Sequence, residues 1–343
     1  MSTRGKTVQR LHRARDKSPA PEFRGPRLGL CCQFAAEPIK FRTTTAAALT
    51  RLQRPEQLAR LAELGRANAD ALLAALHYCH KHGIGSFRIL SSLLPLRTHP
   101  TVGYRVADLP DADSLIARLR LCGDFAREHD VRTGFHPDQF VVLNSPDPEV
   151  VTRSLADLEA QAELAEWTHA DTINIHAGGA YGDKPAALAR FRDSLERLST
   201  RTLSRLTLEN DDTTYTPTEL IPLCRAEGIP LVYDVHHHRC LPDGLSVAEV
   251  TAAALLTWDR EPLFHLSSPI AGWGGPYRER HHDYIAPEDF PAEWRSLAVT
   301  VEIEAKAKEL AVQRLQQHLA IGSAPSRPRA ATTSTSRRTR STE

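Results

Sequence analysis

Residues 206–238 read LTLENDDTTYTPTELIPLCRAEGIPLVYDVHHH. Two short β-prone runs, LTLEN (206–210) and PLVYDV (230–235), flank a helical segment, Pro217–Glu227, that opens on proline as first helical positions prefer. The pattern is strand, helix, strand. Each run also ends on an acid, Glu209 and Asp234, and the second leads straight into His236, His237 and His238. A purification tag sits at a terminus, whereas this cluster is internal and closes an apolar run.

The same rhythm extends in both directions. Upstream lie RLGLCC (27–32), FRIL (87–90), VRTGFH (131–136) and TINIH (172–176), and downstream LFHLS (263–267) and VTVEIEA (299–305), making eight candidate strands. Helical segments separate them. Residues 55–82 repeat Leu58, Leu61, Leu72, Leu73 and Leu76 at helical spacing. Asp111–His129, Pro148–Thr168, Lys184–Leu198, Ser246–Thr257 and Pro287–Leu297 supply further helices, and the turn after Asp234 reads as a loop. Eight alternating units predict an α/β fold, a single (β/α)8 TIM barrel spanning 27–320. A doubly wound open sheet would fit the alternation too, but no G-x-G-x-x-G follows the first strand.

Composition narrows the function classes. The chain has 343 residues, 41% of them hydrophobic, and no apolar run near the roughly 20 residues of a membrane span. The opening MSTRGKTVQR has no apolar centre of the secretory kind, so a cytoplasmic location is expected. Six scattered cysteines form neither a zinc ribbon nor a disulfide framework and read as reduced thiols. The net charge of +1 hides an asymmetry: eight Lys/Arg lie in residues 1–27 and five Arg in 321–343. Residues 28–320 hold 30 basic and 39 acidic side chains, a net of −9. Residues 1–26 and 321–343 lack hydrophobic periodicity and are expected to be disordered basic tails flanking one acidic domain.

The strand ends carry the chemistry. They deliver, in order, His136, His176, Glu209, Asp234, His265 and Glu304. In a barrel these six residues converge on the C-terminal face, where active sites are built. A lone strand-end histidine would be an ordinary core residue, and Glu209 alone an ordinary helix cap. Six consecutive ends bearing only imidazole or carboxylate point instead to metal ions. Such a set without thiolate suits Zn, Mn, Fe or Co. It also exceeds what one ion takes, so Glu209 and Asp234 are expected to bridge neighbouring ions, as in multi-metal phosphoesterases. His237, three residues after Asp234, reaches the same cluster. His281 and Asp283, in RERHHDYI (278–285), are further ligand candidates.

The motifs LGLCCQ (28–33), FRTTT (41–45), HPDQFVVLNSPDPEVV (136–151) and NIHAGGAYGDK (174–184) resemble those of the UV damage endonucleases. So do LTLENDD (206–212), YDVHHH (233–238), HHDYI (281–285) and EAKAKE (304–309), and the likeness spans about 27–312. That family is related in fold to endonuclease IV. The resemblance implies a metal-dependent, ATP-independent enzyme acting on damaged double-stranded DNA at the nucleoid. It would incise immediately 5′ of pyrimidine dimers and 6-4 photoproducts, leaving 3′-hydroxyl and 5′-phosphate ends. It implies two or three divalent ions, manganese foremost, with zinc, magnesium or cobalt also suited to the ligands.

By the same resemblance, His136, His176 and Glu209 hold one ion, and Glu209, Asp234, His265 and Glu304 a second. His237 and His281 hold a third, with Asp283 beside them. Glu209, Asp234 and Glu304 are the expected catalytic carboxylates. Gln139 and Phe140 match the pair that probes the opened helix, and His99 a phosphate-contacting position. Three departures bear on the lesion contacts: Leu30 and Phe34 stand where some members have tyrosine and asparagine, and Leu263 where some have a functional lysine. No obligate protein partner is implied. An abasic-site nuclease would use the same cluster, and a metal-dependent sugar isomerase a similar barrel.

Overall fold

The structure, a computed structural model, describes residues 25–319. All but Gly25 and Pro26 of the two expected tails therefore lies outside the described residues. Eight parallel strands close a barrel in sequence order: β1 Arg27–Cys31, β2 Ser86–Ile89, β3 Arg132–Phe135, β4 Thr172–His176, β5 Leu206–Glu209, β6 Leu231–Asp234, β7 Leu263–Leu266 and β8 Thr300–Ile303. β1 pairs with β8, Leu30 opposite Ile303, so no edge is left open. This is the TIM barrel that the alternation predicts.

Alternation along the strands sorts side chains into two environments. One set, including Leu28, Leu30, Phe87, Ile89, Ile173, Ile175, Leu208, Phe264, Val301 and Ile303, is apolar and buried under the helices. The other set faces the lumen and is mostly polar: Ser86, Arg88, Asn174, Thr207, Glu209, Asp234, His265 and Glu302 are all buried. Most barrels of this kind fill the lumen with branched aliphatics, so the substitution of hydrogen-bonding groups here is itself informative. Gly29 makes room for them. A Cβ there would stand 3.0 Å from the Ser86 Cβ and 3.1 Å from the Glu302 Cγ.

The outer helices form where their caps place them. Thr216 and Glu219 make a capping box before Pro217–Glu227, Asp147 caps Pro148–Thr168, and Asp183 caps Lys184–Leu195. The long helix Arg54–Lys81 buries Leu61, Leu72 and Leu76.

Three expectations change. Pro287–Leu297 is not a helix but two 3-10 turns, Pro287–Asp289 and Ala292–Ser296. Pro291 lacks the N–H a helix needs and holds Phe290 in an extended conformation, φ −73° and ψ 115°. The segment after β6 is a short helix, Val235–Cys240, rather than a loop. A final helix, Glu309–Leu319, was not anticipated and buries Ala311, Val312 and Leu315. Its first residue, Glu309, is fully buried and accepts backbone hydrogen bonds from Ala35 and Ala36 at 2.7 Å each, anchoring the loop after β1. Among the described residues no helix is long and apolar enough to cross a membrane.

Candidate metal centre

Glu209 is the hub of the C-terminal rim. It ends β5, is 1% exposed, and gathers four imidazoles. Its Oε2 lies 3.0 Å from His136 Nε2 and 3.9 Å from His176 Nε2, and its Oε1 lies 3.0 Å from His265 Nδ1 and 3.4 Å from His237 Nδ1. Asn174, two residues before His176 on the same face of β4, donates to Oε2 and fixes the carboxylate. Burial opposes ionisation of this carboxyl. His265, His176 and the hydrogen bonds from His136 and His237 outweigh it, holding the pKa well below the usual range.

Asp234 is placed by a second device. It ends β6 and caps the helix Val235–Cys240, its Oδ1 accepting from the His237 N–H at 2.8 Å. The cap turns His237 back over the rim, 3.5 Å from Asp234 Oδ2. Asn210 locks the strand end through both backbone groups of Asp234, 2.9 and 3.0 Å. Burial alone would lower the pKa of His237, but Asp234 and Glu209 raise it well above the ordinary value.

Three groups of ligand atoms result, each within 4.8 Å: His136–His176–Glu209, Glu209–Asp234–His237, and Asp234–His265–Glu304. Glu209 and Asp234 each belong to two groups, which is the geometry of bridging carboxylates. The residues fit divalent ions by a second criterion. Buried polar atoms are normally paired, yet Asp234 Oδ2 has no hydrogen-bond partner. The donor set, imidazole and carboxylate without thiolate, suits borderline and hard divalent ions.

Not every expected residue joins these groups. His281 lies beside them, its Nδ1 3.8 Å from Glu304 Oε2 and its ring centroid 6.5 Å from that of His237. Asp283 is exposed and stands outside all three. Gln139 and Phe140 project from the loop after β3, with Phe140 76% exposed. His99 accepts from the backbone of Thr101 and Val102 through Nδ1, at 3.2 and 3.4 Å, which leaves Nε2 as a donor. Leu30 is buried in the outer core, and Phe34 stacks against Phe87 with centroids 6.1 Å apart. Leu263 is buried on the lumen side of β7.

Sequence reasoning passed over several neighbours. Arg88 on β2 contacts Glu302 at 2.5 Å and Glu304 at 2.6 Å. A cavity of about 490 Å³ opens beside Glu304 and His281, lined also by Arg280, Lys306 and Lys308. Those three cations bring positive charge to the rim of an acidic body. His236 is fully buried against Trp273, centroids 5.2 Å apart, and burial lowers its pKa.

Comparisons with known proteins bear on the family and the fold. The model of the family UV-endonuclease UvdE matches residues 26–325. A UV DNA damage endonuclease of Bacillus velezensis is 36% identical over 303 residues, covering 84% of this chain and 91% of that protein. One of Bacillus cereus strain G9842 is 32% identical over 287 residues, covering 81% and 89%. The crystal structure of SacUVDE superposes with a TM-score of 0.77 at 27% identity, over 86% of this chain and 99% of that one. Endonuclease IV from Thermus thermophilus, at 14% identity and a TM-score of 0.56 over 86% and 98%, shares the fold.

Proposed function

The chain belongs to the UV-endonuclease UvdE family, and from that premise we propose that it incises UV-damaged duplex DNA immediately 5′ of pyrimidine dimers and 6-4 photoproducts. The products carry 3′-hydroxyl and 5′-phosphate ends, and the reaction needs divalent metal, manganese foremost, but no ATP. One observation carries the reading: three overlapping ligand groups share Glu209 and Asp234 at the catalytic end of the barrel.

In this proposal His136, His176 and Glu209 hold one ion, and Asp234, His265 and Glu304 a second with Glu209 beside them. His237 and His281 hold a third. Bound there, divalent ions neutralise the scissile phosphate and acidify water for in-line attack. The protein supplies position. Asn174 and Asn210 hold Glu209 and the Asp234 strand end rigid, so the ligands need little reorganisation. Arg280, Lys306 and Lys308 attract flanking phosphates, and His99 donates to one through Nε2.

Lesion choice follows from stacking. A dimerised pair stacks poorly, so extruding it costs less than extruding normal bases. Phe140, exposed and apolar at the rim, fills the vacated stack with Gln139 beside it. The assay is an end-labelled duplex with one cyclobutane dimer, incubated with metal-free protein and then with Mn²⁺. Cleavage just 5′ of the dimer, only with metal and only in damaged DNA, is expected. Cleavage of an abasic duplex instead would assign the centre to abasic-site repair, and turnover of a keto sugar alone would assign it to isomerisation.

A further inference from the structure

His265 has two faces, and they meet different chemistry. Its Nδ1 looks toward the metal centre, 3.0 Å from Glu209 Oε1 and 3.6 Å from Glu304 Oε1. Its Nε2 looks down the lumen, 3.3 Å from Glu302 Oε2 and 2.8 Å from Arg88 Nη2, which lies farther from Nδ1, at 3.5 Å. The ring is fully buried, so no solvent satisfies the far side. Glu302 is itself 2% exposed and is gripped by Arg88 at 2.5 Å, while Arg88 also holds Glu304 at 2.6 Å.

A neutral imidazole has one lone pair and one N–H. To give the Nδ1 lone pair to an ion, His265 must carry its proton on Nε2. Guanidinium is only a donor, so Arg88 favours the opposite tautomer, in which Nε2 accepts and Nδ1–H blocks ligation. Glu302 Oε2, 3.3 Å away, is the acceptor that faces Nε2. We propose that Glu302 is a positioning residue of the metal centre: it accepts the Nε2–H of His265 and thereby selects the tautomer that presents Nδ1 to metal. Arg88 supplies the ion pair that aims Glu302 at 2.5 Å while holding Glu304 at 2.6 Å. A carboxylate behind a ligating histidine is the recurrent way such rings are fixed, and its loss costs ten- to a hundredfold in metal affinity.

This inference rests on the metal-centre reading above, and its test separates the two. Mn²⁺ titration calorimetry on the full-length protein, with the visible spectrum of the Co²⁺-loaded form, is run on wild type, Glu302→Gln, Glu302→Asp, Glu302→Ala and Glu302→Ala/Arg88→Met. Wild type that binds no Mn²⁺ overturns the metal centre and this inference together. With wild type binding, Glu302→Ala is expected to weaken at least one ion ten- to a hundredfold and to alter the Co²⁺ bands. Glu302→Gln, whose amide oxygen still accepts, falls between, and Glu302→Asp recovers most of the affinity. The double variant, freed of the competing donor, binds more tightly than Glu302→Ala. Glu302→Gln and Glu302→Ala that both bind every ion as wild type does overturn the inference while leaving the centre intact. So does a double variant no better than Glu302→Ala, and so does a weakening that only follows a falling Tm.

Discussion

Both ends of the barrel concentrate charge, and they treat it in opposite ways. At the N-terminal end, Arg27 meets Glu261 at 3.0 Å and Asp130 at 3.2 Å, and Arg132 meets Asp171 at 3.0 Å. Thr300 adds a hydrogen bond to Glu261 at 2.6 Å. Each acid there faces an arginine, a cation at any working pH, so charge is balanced pair by pair. At the C-terminal end Glu209 and Asp234 face imidazoles, whose charge depends on what else is bound, and Asp234 Oδ2 has no hydrogen-bond partner. The first network balances its own charge. The open one leaves lone pairs for a ligand that must bring positive charge.

The largest effect expected from this contrast is at Glu209. Glu209→Gln keeps the shape but removes the bridging charge, and incision of a dimer-containing duplex should fall by about a thousandfold or more, some 4 kcal/mol of barrier. Far-UV circular dichroism and Tm should stay close to wild type. A variant with a lowered Tm and unchanged specific activity would make the rim a structural network like the other end. A smaller effect is expected at Phe140. Phe140→Ala should reduce discrimination between damaged and undamaged duplex by roughly tenfold and leave bound metal unchanged by elemental analysis.

At the opposite end the signs reverse. Arg27→Ala should cost about 1–2 kcal/mol, lowering the calorimetric Tm by a few degrees, with kcat for incision unchanged. The smallest effect is on pH dependence. Burial opposes ionisation of Glu261, but Arg27 and Thr300 outweigh it and hold its pKa below the ordinary value. That stabilisation is present above the unfolded glutamate value of about 4.3 and is lost as pH falls through the depressed folded value. Glu261→Gln should therefore flatten the decline of Tm below about pH 4. An unchanged slope would show that Glu261 adds nothing to the closed network.

The barrel was legible because each strand is a short apolar run bounded by a helix signal. The ligands were legible because His or an acid at a strand end is conspicuous against that background. The layer beneath them was not. Glu302, Asn174 and Thr207 sit two residues before Glu304, His176 and Glu209, a period-two signal of a polar lumen. Inside an apolar run each reads singly as a tolerated polar residue. Arg88 gave no cue in FRIL, since its partners lie beyond β1 on and just after β8, 214 and 216 positions away in Glu302 and Glu304. Asp234 as the cap of a short helix was hidden because three histidines in a row resemble a loop.

Glu209 and Asp234 are proposed to bridge ions at the C-terminal rim. Anomalous diffraction at the manganese edge, on crystals of the full chain equilibrated with Mn²⁺, tests it most directly. Two or three peaks are expected at the barrel's C-terminal end, with Glu209 and Asp234 each touching two of them. A single peak that neither carboxylate bridges, or none at this end, would contradict it.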